Sequence, residues 1–138
     1  MAEDFLNQAK LRLITAKAVF EKEAYAYCIL QSQEAVELAL KSALRLLGVD
    51  YPKWHDVGIV LKEIEDKFPD EFKSEIPNLV EISEKLNALR EPAMYGDESQ
   101  KKGPSALFTK SDAKEIIKET EFSLQKITDL FNLFEKKK

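Results

Sequence analysis

An arginine, a proline and a tyrosine lie close together in the second half of the chain, and their types suit phosphate chemistry. Arg90 ends an apolar helical pattern, Pro92 follows it, and Tyr95 opens a long polar stretch. A planar guanidinium matches the oxygens of a phosphate, and a tyrosine hydroxyl can donate a hydrogen bond to the same group. We therefore expect Arg90 and Tyr95 to bind a phosphate-bearing ligand.

Two neighbouring lysines extend this candidate site. Lys101 and Lys102 lie in segment 92–108, the longest stretch without a periodic pattern, which predicts a flexible loop. We expect their mobile ammonium groups to reach the same anion. Asp97 and Glu98 precede them, but two adjacent carboxylates in a loop are more simply interpreted as solvated. We predict no metal site and no cofactor.

Arg90 also has a structural interpretation. It lies one turn after Leu86 and borders the apolar stripe, so it can instead pair with Glu34 or Glu37 inside a bundle. Gln33 falls among large apolar residues of the helix that carries both glutamates, and it needs a partner if it is buried. A link between Gln33 and Arg90 would satisfy both side chains. The sequence leaves these alternatives open.

Composition places the chain among small globular proteins. Its 138 residues suit one domain, 1–138, and 44% of them are hydrophobic. The net charge of −4 argues against a general nucleic-acid coat but permits a local basic cleft. No apolar run approaches the roughly 20 residues of a membrane span, and the single Cys28 cannot form an internal disulfide. We expect a cytoplasmic protein that is not membrane-bound.

The hydrophobic periodicity is helical throughout and predicts an all-α bundle of four to five helices. The last helix carries apolar residues outside its main seam, which predicts a second contact surface and a homodimer. The first expected helix has an apolar stripe from Phe5 to Phe20 that includes Ile14, and a central helix over about 23–47 ends at Gly48. A third helix runs from the cap Asp56 to Phe68, and a fourth from Pro77 to Pro92. A fifth helix begins at Thr109 or Ser111, and its surplus apolar residues are Leu130 and Leu133 beside Phe131 and Phe134.

Three segments together resemble the HEPN domain family. Residues 33–41 (QEAVELALK) resemble its second helix, residues 54–57 (WHDV) resemble the histidine–aspartate step before its third helix, and residues 86–98 (LNALREPAMYGDE) resemble the region of its arginine. The resemblance implies an up-and-down helical bundle that commonly dimerises, with the arginine and its partner residue facing a cleft between protomers. It also implies RNase activity, nucleotide or RNA binding, or pairing with a minimal nucleotidyltransferase in a toxin–antitoxin system.

The chain departs from the family pattern at one position. There the arginine is followed after four to six residues by a histidine that serves RNA cleavage, whereas Tyr95 stands here and the only histidine is His55. Because an ordinary tyrosine keeps its proton at neutral pH, it is a poor general base. We favour a binding module for nucleotide or RNA over a metal-independent endoribonuclease using Arg90 and Tyr95, or a structural dimerisation subunit.

Overall fold

The computed structural model describes residues 1–50 and 56–136, and their regular structure is helical. The all-α prediction is confirmed. Five helices are longer than one turn, and a single-turn helix follows the third of them. The helices are α1 (Ala2–Glu21), α2 (Tyr25–Leu46), α3 (Val57–Glu63), α4 (Asp70–Lys73), α5 (Ile76–Tyr95) and α6 (Lys110–Lys136), with short 3-10 turns at Glu65–Lys67 and Pro104–Ala106.

Helix α2 is the centre of the bundle, as its pattern predicts. It packs against α1, α5 and α6, while α1 and α6 also contact each other. A stripe of small residues with no exposed surface, Ser32, Ala35, Ala39 and Ala43, allows neighbouring helices to approach closely. Gly48 ends the helical region with a φ of +72°, the left-handed conformation expected after a helix end.

Helix α1 buries a narrower face than the sequence predicts. Leu6, Ala9 and Ala16 are buried, but Ile14 is 63% exposed, so its placement in the core stripe was wrong. At 100° per residue, Ile14 lies about 160° around the helix from Ala16. The outer face of α1 therefore carries an apolar residue that the described residues leave largely exposed.

The third predicted helix is shorter than expected. Asp56 caps α3 as predicted, accepting a hydrogen bond from the Gly58 amide at 2.8 Å. The helix then ends at Glu63 instead of reaching Phe68, which is extended with φ −97° and ψ 153°. Pro69 explains the extended conformation of Phe68, because a residue before proline avoids the helical conformation, and the 3-10 turn Glu65–Lys67 lies between Phe68 and the end of α3. The turn brings Phe68 and Phe72 together in the core, with ring centroids 4.9 Å apart.

Helix α6 begins with the predicted capping box. The Thr109 amide donates to the Asp112 carboxylate at 2.9 Å, and the Asp112 amide donates to the Thr109 hydroxyl at 3.1 Å. The surplus of apolar surface predicted at its other end is mostly used within the chain. Leu130 and Phe131 belong to the core, Phe134 packs against it, and Leu133 is half-buried. A homodimer therefore needs another surface.

Cys28 lies in the core between α1 and α6. Burial raises the pKa of its thiol to about 11. Since the thiolate is the reactive form, this position favours an inert structural cysteine. Across the described residues, every helix is too short or too polar to cross a membrane.

Candidate functional site

Arg90 is held by a chain of hydrogen bonds that joins three helices. Its guanidinium Nη1 donates to Gln33 Oε1 of α2 at 2.6 Å. Gln33 Nε2 donates to Asn87 Oδ1 of α5 at 3.0 Å, and Asn87 Nδ2 donates to Asp56 Oδ2 at 3.1 Å. Asp56 is at the same time the cap of α3. We call these four side chains the polar relay.

The polar relay has one direction, which follows from the chemistry of its ends. A guanidinium can only donate hydrogen bonds, and an ionised carboxylate can only accept them. The amides of Gln33 and Asn87 must therefore each turn the oxygen toward Arg90 and the nitrogen toward Asp56. Gln33 is almost completely buried, so the relay satisfies a side chain that would otherwise be unpaired in the core.

The charge of Arg90 is not cancelled by an ion pair in the part of the chain that the structure describes. The two glutamates considered from sequence are engaged elsewhere: Glu37 lies 3.8 Å from Lys41 Nζ, and Glu34 accepts from Gln31 at 3.4 Å. Arg90 is bound instead by the neutral amide of Gln33. A half-buried guanidinium that is fixed in place and keeps its net charge can attract an anion.

Tyr95 faces a cavity that Asn87 of the polar relay also lines but Arg90 does not. It is the last residue of α5 and is 64% exposed. It lines a cavity of about 660 Å³ together with the carboxylates Glu91, Asp97 and Glu98. Three carboxylates around one hydroxyl disfavour a phosphate there, because like charges repel at short range.

Helix α5 reaches Tyr95 because Pro92 does not end it, contrary to one prediction from the sequence. Proline removes a single donor, and the next turn closes with the Gly96 amide donating to the Pro92 carbonyl at 2.8 Å. Around a helix with 100° per residue, Arg90 and Tyr95 lie about 140° apart. The expectation that they act together on one phosphate therefore finds no support within a protomer.

The loop after α5 is a closed turn, whereas the sequence predicted a flexible one. Asp97 and Lys102 pair through two backbone hydrogen bonds of 2.8 and 3.0 Å. Gly96 enters the turn with φ +77° and ψ −159°, a region open essentially to glycine alone. A Cβ at Gly96 would overlap the Lys102 carbonyl oxygen and approach the Gly103 backbone within 2.9 Å. This close approach fixes the loop.

Asp97 organises the inside of the same turn. Its carboxylate accepts from the Ser99 hydroxyl at 2.6 Å and from the Gln100 amide at 3.2 Å. These bonds, with the nearby charge of Lys102, hold the pKa of Asp97 below its usual value. Lys101 and Lys102 are exposed on the turn and do not line the cavity of Tyr95. Their proposed role in anion binding stays a prediction.

Sequence reasoning found Arg90 and Gln33 but missed the part played by Asn87. Asn87 lies three residues before Arg90, so the two side chains are neighbours on the surface of α5. This spacing was the signal in the sequence that could have linked Asn87 to Arg90. Asp56 was recognised as a cap and not as the end of the polar relay. His55 and Trp54 lie outside the described residues. Within the described ranges, no cluster of histidine, cysteine and carboxylate side chains is suited to a metal ion.

The fold and the polar relay define a small all-α bundle with a positioned arginine near the end of its fourth long helix. The chain belongs to the HEPN family, since the family model for the HEPN domain matches residues 2–130. It is 30% identical over 134 residues to "Putative toxin MJ1304" of Methanocaldococcus jannaschii, an alignment that covers 93% of this chain and 86% of the relative.

Two solved structures share the fold. The crystal structure of TT1696 from Thermus thermophilus superposes with a TM-score of 0.72 at 23% identity, covering 93% of this chain and 96% of that one. ST0689, an archaeal HEPN homologue, gives a TM-score of 0.72 at 22% identity, covering 94% of this chain and 96% of its own. At these identities the likeness concerns the fold alone.

Proposed function

We propose that this protein is a HEPN module of the toxin–antitoxin type that binds the phosphate of a nucleotide or RNA through Arg90. The observation that carries the proposal is the neutral partner of Arg90: Gln33 orients the guanidinium at 2.6 Å without cancelling its charge. The name of the relative from Methanocaldococcus jannaschii, "Putative toxin MJ1304", supports the toxin–antitoxin type. We further propose that it acts in the cytoplasm beside a minimal nucleotidyltransferase.

The electrostatics of the site favour a local and specific contact. The chain carries a net charge of −4, so attraction must come from a fixed cation and not from the field of the whole molecule. The free nitrogens of a guanidinium bound on one side remain as donors for two oxygens of a phosphate. A binding module needs such donors for the phosphate oxygens, and it needs no general base.

The rival nuclease function is less well supported. It requires Arg90 and Tyr95 to act on one phosphate, yet they lie on different faces of α5 and the hydroxyl of Tyr95 shares its cavity with three carboxylates. We therefore expect no RNA cleavage by the isolated protein. The acidic cavity is better suited to a basic surface of a partner protein, which agrees with the proposed nucleotidyltransferase role.

The phosphate contact is tested by replacing Arg90→Ala and titrating a fluorescently labelled short single-stranded RNA at low salt. Since charge-assisted hydrogen bonds to phosphate are lost, we expect affinity to fall about tenfold or more. Arg12→Ala is the matched control, because Arg12 is also bound by a glutamine, Gln8 at 3.4 Å, but lies on α1. It removes the same charge from a different helix.

If both variants lose the same affinity for RNA, the loss comes from the change in net charge, and the Arg90 proposal is overturned. The same samples are incubated with transfer RNA and examined for fragments. Cleavage by the natural protein that disappears in Arg90→Ala would replace the binding function with the nuclease function. Absence of any RNA or nucleotide binding would leave the structural or partner-binding subunit as the remaining function.

We also propose a homodimer, built on the outer face of α1 and not on α6. Leu11 and Ile14 are 52% and 63% exposed on this face. Asp4 and Lys22 flank them and are 18 residues apart, about five full turns, so all four share one side of the helix. When two α1 helices pack antiparallel about a two-fold axis, Asp4 of each protomer faces Lys22 of the other.

Ile14→Asp is expected to convert the dimer into a monomer, because it places a charge at the centre of the apolar contact. Light scattering at micromolar concentration measures the mass. Ile59→Asp is the control, since Ile59 is 49% exposed on α3, away from this face. A natural protein that is monomeric without a partner would contradict the homodimer, and a dimer that survives Ile14→Asp would contradict the proposed face.

A further inference from the structure

An apolar groove opens between the start of α2 and the last turn of α5. It has a volume of about 440 Å³ and is lined by Tyr27 and Leu30 from α2 and by Ala93 and Met94 from α5, with Pro104 of the following loop at its side. Tyr27 is 48% exposed and Met94 42% exposed. Because both side chains are partly exposed, the tyrosine offers a flat aromatic surface to a ligand and the methionine offers a polarizable one.

The groove begins next to the polar relay. Helices α2 and α5 run antiparallel, because Gln33 contacts Asn87 and Arg90 while the earlier residue Tyr27 shares the groove with later residues of α5. Met94 lies one turn beyond Arg90, about 6 Å along the helix, and Tyr27 lies six residues before Gln33, about 9 Å along α2. The step from Arg90 to Met94, with only about 40° of rotation around α5, is close to the separation of a phosphate from the base in a nucleotide.

Charge distinguishes the two ends of the groove. Arg90 lies just outside the lining at the end toward Gln33, one turn before Met94 on α5, whereas Glu23 lines the groove itself at the other end, before α2 begins. An anionic group is attracted to the first end and repelled from the second. The groove therefore fits a ligand with a phosphate at one end and a neutral planar group at the other, and it orients that ligand in one direction.

We propose that this groove is a base-binding subsite, in which Tyr27 stacks on a nucleobase, Met94 flanks it, and Arg90 holds the phosphate attached to the same nucleotide. The proposal rests on the proposed function and adds the part of the ligand that the guanidinium does not touch. Stacking on an aromatic ring tolerates any base, so the subsite favours nucleotides and single-stranded RNA over simple phosphate esters.

The test compares AMP with ribose 5-phosphate, two ligands with the same phosphate charge that differ by the base. Calorimetric titration of the natural protein is expected to show AMP binding roughly tenfold more tightly, the usual gain from stacking one base. Tyr27→Ala should remove this difference and leave ribose 5-phosphate unchanged, while Tyr27→Trp should keep it. Ile59→Ala, which shortens a side chain of similar exposure on α3, should change neither ligand.

The outcomes separate this inference from the proposed function. In one outcome AMP and ribose 5-phosphate bind with equal affinity, Tyr27→Ala changes neither affinity, and Arg90→Ala lowers both. The base subsite is then wrong and the phosphate contact stands. If Arg90→Ala changes neither ligand but Tyr27→Ala abolishes AMP binding, the subsite stands without the proposed function. If neither ligand binds to the folded protein, both proposals fail. Thermal unfolding monitored by circular dichroism confirms that each variant is folded.

Discussion

Gly96→Ala is expected to lower the free energy of unfolding by about 3 kcal/mol or more, the largest effect expected from adding a methyl group at any of the four glycines. Two costs combine there. The backbone conformation, with φ +77° and ψ −159°, is nearly closed to residues with a Cβ. The new methyl group would also overlap the Lys102 carbonyl oxygen, a backbone atom that cannot move away without opening the turn.

Substitutions at two other glycines measure the backbone strain separately from the steric overlap. Gly48 has φ +72° and open space where a methyl group would lie, so Gly48→Ala should cost only the conformational strain, roughly 1–2 kcal/mol. Gly103 has neither a positive φ nor a close neighbour, so Gly103→Ala should be nearly neutral. Urea denaturation measures all three. Equal effects for Gly96→Ala and Gly48→Ala would show that the turn yields easily.

A turn that opens locally would limit the loss of global stability. In that case Lys101 and Lys102, already exposed, would become accessible to trypsin in the folded protein. Limited proteolysis therefore accompanies the denaturation experiment. Faster cleavage at these lysines in Gly96→Ala, compared with Gly103→Ala, is the expected sign of an opened turn.

Gln33→Glu is expected to weaken anion binding strongly, with almost no change in side-chain volume. The new carboxylate would lie against the Arg90 guanidinium, where an amide oxygen now lies at 2.6 Å, and would cancel its charge. It would also face the Asn87 carbonyl oxygen, which now accepts from Gln33 Nε2 at 3.0 Å. Because Asn87 already donates to Asp56, it cannot turn without losing that bond.

Gln31→Glu is the matched control for this prediction. It makes the same chemical change on the same helix and adds the same charge, but Gln31 contacts Glu34 and not Arg90. Affinity for a short RNA should fall about tenfold or more in Gln33→Glu, the loss expected when a charged hydrogen bond is removed, and far less in Gln31→Glu. Equal losses would mean that Arg90 is not the binding group.

Features set by neighbouring residues in the chain were predictable. The capping box of Thr109 and Asp112, the cap at Asp56 and the end of α2 at Gly48 all follow from local rules, and the structure shows each of them. The packed face of α1 was harder to predict. Ile14 fits a broad apolar stripe, but which side of a helix becomes buried depends on the helices that cover it.

The candidate site depends on contacts between distant residues, and the sequence therefore predicted it only in part. Arg90 and Gln33 are 57 residues apart, and either glutamate on α2 would have satisfied the same arginine. The closed turn after α5 depends on a backbone approach between Gly96 and Lys102, which no periodic pattern predicts. Residue types indicated the chemistry, whereas the choice of partner required the tertiary structure.

The polar relay has a consequence for dynamics. Asp56 caps α3 and also accepts a hydrogen bond from Asn87. Fraying of α3 therefore weakens the hydrogen bonds that orient the Arg90 guanidinium, and the two events are coupled. Thermodynamic linkage then requires the reverse: an anion that binds the oriented guanidinium must oppose that fraying. Amide protons of α3, a helix outside the proposed ligand contacts, should therefore exchange with solvent more slowly when the ligand is bound.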